Sequence, residues 1–61
     1  MGLAGLSILL VEDHGFQRRL GLRLLSDLGL TKLHEASDGF QALDLLRAMP
    51  APPDVVLVDL D

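Results

Sequence analysis

The chain has 61 residues, 49% of them hydrophobic, and contains no cysteine, tryptophan or tyrosine. This length allows one small domain or a piece of one, and the absence of cysteine excludes the disulfides that stabilise many proteins of this size. Nine acidic and five basic residues give a net charge of −4, which disfavours binding to nucleic-acid phosphates. The N-terminal apolar run is too short to span a bilayer, so we expect a cytoplasmic protein that contacts neither membranes nor nucleic acid.

Strand and helix patterns alternate along the whole chain. Short apolar runs at 6–11 and 54–59 predict strands buried on both faces, and the more polar segment 32–36 predicts a strand at the edge of a sheet. Between them, apolar residues at helical spacing predict helices over 14–28 and 38–49. The order strand-helix-strand-helix-strand is typical of an α/β fold with a parallel sheet and helices on its faces.

Four apolar residues of the first predicted helix recur at every fourth position: Phe16, Leu20, Leu24 and Leu28. We expect this stripe to face the sheet and Arg18 to point away from it. Gly21 lies at the edge of the stripe, where its missing side chain would let the helix approach the sheet closely. Gly29 is suited to end this helix, and the sequence SDG (37–39) is suited to begin the second one.

Acidic residues stand at the ends of the first and third predicted strands. Glu12 and Asp13 follow the first strand, and Asp59 and Asp61 close the third. The carboxyl ends of parallel strands point the same way, and ligands of open α/β sheets bind outside them. An oxygen-rich, sulfur-free set of donors favours Mg²⁺, which would serve a phosphate, and one carboxylate could attack phosphorus. Acidic residues also end strands simply because strands end in solvent, and spacing alone leaves both interpretations open.

Three motifs resemble the receiver domain of two-component response regulators: ILLVEDH (8–14), EASDGFQALDLL (35–46) and PDVVLVDLD (53–61). They occur in the order and at about the separations that are usual in that family. The family fold is flavodoxin-like, with strand order 2-1-3-4-5. The resemblance therefore implies that residues 1–61 form the N-terminal half of such a domain, a parallel βαβαβ unit with strand order 2-1-3.

The resemblance also implies roles for the acidic residues. Asp59 would accept a phosphoryl group from a sensor histidine kinase or a phosphotransfer protein. Glu12, Asp13, Asp59 and the backbone carbonyl of Asp61 would hold the Mg²⁺ ion. Such a domain catalyses its own phosphorylation and is not a turnover enzyme.

The chain departs from the receiver pattern in its length. Family members are about twice as long, and their later strands supply a Ser or Thr and a Lys that bind the phosphoryl group. We therefore expect weak Mg²⁺ binding and slow or undetectable phosphorylation of the 61-residue chain alone. The alternative hypothesis is a structural half-domain without signalling activity, which forms a homodimer through its exposed third strand. A flavin- or nucleotide-binding half-domain is disfavoured, because EDHG (12–15) stands in place of a glycine-rich phosphate loop.

Overall fold

The computed structural model describes residues 3–59, in which two helices alternate with three strands after a short 3-10 turn at Leu3–Gly5. The elements are β1 (Ser7–Glu12), α1 (Gly15–Asp27), β2 (Lys32–Ala36), α2 (Gly39–Ala48) and β3 (Val55–Asp59). Both helices begin one residue later than predicted, because His14 and Asp38 are N-cap residues with extended backbone. No helix within residues 3–59 is long and apolar enough to cross a membrane.

The three strands form a parallel sheet in the order β2-β1-β3, with β1 in the centre. The β1–β2 ladder runs from the pair Ser7 and Lys32 to the pair Val11 and Ala36. The β1–β3 ladder runs from the pair Ile8 and Val55 to the pair Glu12 and Asp59. This arrangement confirms the predicted flavodoxin-like half-domain, including its strand order 2-1-3. It also places the first and third strands side by side.

Helix α2 covers the face of the sheet that carries the alternate β1 residues Leu9 and Val11. These two side chains are 0% and 2% exposed, and with Ala36 and Ala42 they form the buried cluster of the protein. Leu45 and Leu46 of α2 pack against that cluster. Three of the apolar residues at helical spacing in the second helix, Ala42, Leu45 and Leu46, therefore supply the α2 side of this contact.

Helix α1 packs against the opposite face of the sheet, and its orientation differs from the prediction. Four residues that were expected to face the sheet are exposed: Phe16, Leu20, Leu24 and Leu28. The partly buried residues of α1 form the inward row: Gly15, Arg18, Gly21, Leu22 and Leu25. A Cβ atom on Gly21 would lie 2.9 Å from Cδ2 of Leu10, so the missing side chain allows the close helix-sheet approach. The hydropathy pattern was misleading because this inward row contains glycine and arginine residues.

Strand β3 is exposed along its whole length, in contrast to the burial predicted for it. The described helices pack over β1 and β2, and all five β3 residues are exposed. Val58 is the most accessible of its apolar residues, at 62%. Within residues 3–59, β3 is paired only with β1.

The ends of both helices depend on local hydrogen bonds. Gly29 has a positive φ of 98°, and its amide donates to the Ser26 carbonyl at 2.9 Å while that of Leu30 donates to the Leu25 carbonyl at 3.1 Å. These two bonds form a Schellman motif, which confirms Gly29 as the end of α1. At the start of α2, the Asp38 carboxylate accepts a hydrogen bond from the backbone amide of Gln41 at 2.8 Å and so caps the helix.

The left-handed backbone at Gly29 gives the first testable prediction. No atom lies within 4 Å of a Cβ added at Gly29 or at Gly39, but only Gly29 has a positive φ. Gly29→Ala should therefore lower the free energy of unfolding by about 1–2 kcal/mol through backbone strain alone. Gly39→Ala is the matched control and should be neutral or slightly stabilising. Urea denaturation of both variants measures the difference, and equal stabilities would contradict the assigned conformation.

Candidate functional site

The carboxyl ends of β1 and β3 lie next to each other, which is the central feature of the site. Glu12, the last residue of β1, is paired in the ladder with Asp59, the last residue of β3. Paired residues of parallel strands project from the same face of a sheet, so both side chains belong to the α1 face. Asp13 and His14 come directly after Glu12, in the loop that leads into α1.

Glu12 is a buried acidic residue, with 4% of its surface exposed. Its Oε1 atom accepts a hydrogen bond from the backbone amide of His14 at 3.1 Å and lies 3.2 Å from Nδ1 of the same residue. A buried carboxylate is costly unless it is hydrogen-bonded, paired with a positive group or bound to a cation. The His14 contacts hold the Glu12 side chain in one orientation at the strand end.

Asp13 and His14 complete a cluster of possible metal ligands with Glu12. The His14 ring nitrogen Nδ1 is 3.0 Å from Oδ1 of Asp13, and one ligand atom from each of the three residues lies within 4.8 Å of the others. Asp59 is not a member of this cluster, although its backbone is paired with that of Glu12. The predicted ligand Asp61 lies outside the described residues 3–59.

His14 was not assigned to the site from the sequence. Its position directly after two acidic residues and before a helix was the available signal. The imidazole contacts both carboxylates in the structure, and it is the one nitrogen ligand of the cluster.

The ligand types can be compared with the preferences of metal ions. Mg²⁺ takes oxygen ligands, and proteins usually bind it through one or two carboxylates together with water or phosphate. Glu12 and Asp13 supply two carboxylates, and Asp59 ends the adjacent strand. This donor set fits a hard divalent ion, whereas the imidazole of His14 would suit a softer transition metal.

Arg18 is bound to the same strand end, although helical periodicity placed it on the outer side of α1. Its Nη1 atom donates to the backbone carbonyl of Glu12 at 2.9 Å, and its Nε atom donates to Oε1 of Glu35 at 3.2 Å. The side chain is only 19% exposed. The α1 face of the sheet therefore carries a positive group immediately beside the acidic loop.

The fold and the site together define a parallel α/β unit with carboxylates at the ends of two adjacent strands. Over 54 residues, or 88% of its length, the chain is 37% identical to the sensor kinase CckA of Brucella abortus (strain 2308). The matched segment is only 6% of that relative. No protein-family model matches the chain, and no solved structure matches it. The detected similarity therefore links this chain to a small segment of a sensor kinase.

Proposed function

We propose that this chain is a receiver-type phosphoacceptor unit in which Asp59 takes up a phosphoryl group. The observation that carries the proposal is the pairing of Glu12 with Asp59 at the carboxyl ends of neighbouring parallel strands, beside Asp13. Ligands of open α/β sheets bind at this position. The similarity to a sensor kinase agrees with a role in phosphotransfer signalling.

Asp59 is the acceptor because it combines position with accessibility. It is exposed at the end of β3, so a large phosphodonor can reach it. A carboxylate oxygen of Asp59 attacks the phosphorus atom of a phosphohistidine. The phosphorus-nitrogen bond breaks, its electron pair returns to the donor imidazole, and an acyl phosphate remains on Asp59. In this proposal the unit catalyses the transfer of the phosphoryl group onto its own Asp59 and is not a turnover enzyme.

Glu12 and Asp13 are the proposed Mg²⁺ ligands, together with Asp59 and the carbonyl of Asp61. When bound, Mg²⁺ supplies positive charge that offsets both the clustered carboxylates and the incoming phosphoryl group. Glu12 is oriented by its contacts with His14, and Asp13 stands at the more open side of the cluster. His14 therefore holds the carboxylates of Glu12 and Asp13 in place before the phosphodonor arrives.

The proposed partner is a sensor histidine kinase or a phosphotransfer protein with a phosphorylated histidine. The proposed location is the cytoplasm, and the net charge of −4 disfavours direct contact with nucleic acid.

Phosphorylation of Asp59 can be tested with acetyl phosphate and Mg²⁺. Because phosphorylation of this chain is expected to be slow, mass spectrometry after prolonged incubation should find a minor fraction of chains with one phosphoryl group, on the peptide that contains Asp59. Asp59→Asn should abolish the modification, since an amide oxygen does not form the acyl phosphate. Asp44→Asn is the matched control, because Asp44 is an exposed aspartate on α2, and it should leave the modification unchanged. Labelling of another residue in the wild-type chain would refute the assignment of Asp59.

The exposure of β3 favours a second candidate function, a structural half-domain that self-associates without signalling. Four consecutive apolar residues of this strand are 38–62% exposed: Val55, Val56, Leu57 and Val58. A strand with one unpaired edge is a template for pairing with another chain. In this candidate, the third strands of two copies pair and form a homodimer through a two-fold axis.

Sedimentation velocity over a range of concentrations tests the second candidate. The wild-type chain should dimerise, and Val56→Lys should weaken the dimer at least about tenfold by placing a charge on the pairing strand. Leu24→Lys is the control on the exposed side of α1 and should leave the dimer intact. A wild-type monomer at high concentration would exclude this candidate, and loss of the dimer only in Leu24→Lys would assign the interface to α1.

A further inference from the structure

Arg18 makes contacts that the proposed chemistry does not by itself require. We propose that Arg18 is a positioning residue that fixes the loop Asp13–His14, and thereby the ligands of the metal site; this inference rests on the proposed function. It acts through Glu12 and Asp13 and is not itself a ligand.

The loop is held at both of its ends. Before the loop, Nη1 of Arg18 donates to the carbonyl of Glu12 at 2.9 Å. At the other end of the loop, the carbonyl of His14 accepts a hydrogen bond from the backbone amide of Arg18 at 2.8 Å, which is the first main-chain bond of α1 and does not involve the arginine side chain. The guanidinium group of Arg18 therefore constrains the backbone that enters Asp13, and the first turn of α1 constrains the backbone that follows it.

The contact with Glu12 determines how the chain leaves β1. The Glu12 carbonyl belongs to the peptide group that joins Glu12 to Asp13, and a peptide group is planar. Fixing the carbonyl oxygen therefore also fixes the direction of the Asp13 amide. This hydrogen bond therefore constrains the backbone that enters Asp13, in addition to the contacts that His14 makes with the carboxylates of Glu12 and Asp13.

Glu35 fixes the other side of the guanidinium group. Its Oε1 atom accepts from Nε of Arg18 at 3.2 Å, and Glu35 is paired with Leu10 in the β1–β2 ladder. The Arg18 side chain is only 19% exposed, whereas that of Glu35 is 53% exposed. Arg18 thus links the start of α1 and the end of β1 to a fixed position on β2.

A lysine could not reproduce this link. Arginine presents several donors in a rigid, planar fork, whereas lysine carries a compact charge on a flexible stem. Arg18→Lys keeps the positive charge beside the acidic loop but loses the fixed geometry between Glu12 and Glu35. The substitution therefore separates positioning from simple charge compensation.

Isothermal titration with Mg²⁺ compares the wild-type chain with Arg18→Lys, Glu35→Gln and the matched control Arg23→Lys on the exposed side of α1. Residues that orient metal ligands typically contribute about 10–100-fold to metal affinity, so Arg18→Lys should weaken Mg²⁺ binding at least about tenfold. Glu35→Gln should cause a smaller loss, and combining it with Arg18→Lys should add little, because both act through one contact. Arg23→Lys should bind like the wild type. Unchanged affinity in folded Arg18→Lys would overturn the proposal.

A second measurement needs no metal and separates this inference from the proposed function. Amide hydrogen exchange in metal-free buffer should be at least about tenfold faster at Asp13 and His14 in Arg18→Lys, with exchange in β2 unchanged. Glu35→Gln should show the same pattern more weakly, and its exposed position should leave the fold intact. Faster exchange together with no Mg²⁺ binding by the wild type would support the positioning role and refute the metal site. Unchanged exchange at Asp13 and His14 in both variants would overturn the positioning role.

Discussion

The parallel pairing of β1 with β3, in the register that sets Glu12 opposite Asp59, is the constraint on which the site depends. Side chains alternate between the two faces of a strand, so a shift by one residue would move Asp59 to the opposite face from Glu12. The buried residues of β1 maintain this arrangement, because Leu9 and Val11 face α2 while Leu10 meets Gly21 of α1. Packing of the central strand therefore determines which face of the sheet carries Glu12, and the ladder with β3 places Asp59 on that same face.

The site combines repulsion between neighbouring carboxylates with contacts from two basic side chains. Glu12 and Asp13 bring negative charge together at a strand end, and Glu12 is buried there. His14 contacts both carboxylates, and Arg18 bonds to the Glu12 carbonyl from the side of α1. These contacts orient the carboxylate groups of Glu12 and Asp13. The carboxylate oxygens are the type of ligand that a hard cation prefers.

Much of the fold is predictable from sequence patterns, because strand and helix periodicities, the glycine at position 29 and the cap at Asp38 are local signals. The rotation of α1 could not be predicted in the same way. Hydropathy assigns arginine to the solvent side, but Arg18 turns inward since Glu12 and Glu35 accept its hydrogen bonds, and Gly21 provides the space for a close approach. The strand order that makes these two strand ends neighbours is implied by the resemblance to receiver domains, whereas the role of His14 depends on side-chain contacts that spacing does not reveal.

Substitution of Mn²⁺ for Mg²⁺ tests most directly whether the ends of β1 and β3 form one cation site. Mn²⁺ is paramagnetic and broadens the NMR signals of nearby amides. We expect the amide signals of Asp13 and Asp59 to broaden together at low Mn²⁺ concentration, while that of Lys32, which pairs with Ser7 at the opposite end of the sheet, stays sharp. Broadening around Asp13 and His14 with a sharp Asp59 signal, or equal broadening along the whole chain, would contradict a cation site shared by the two strand ends.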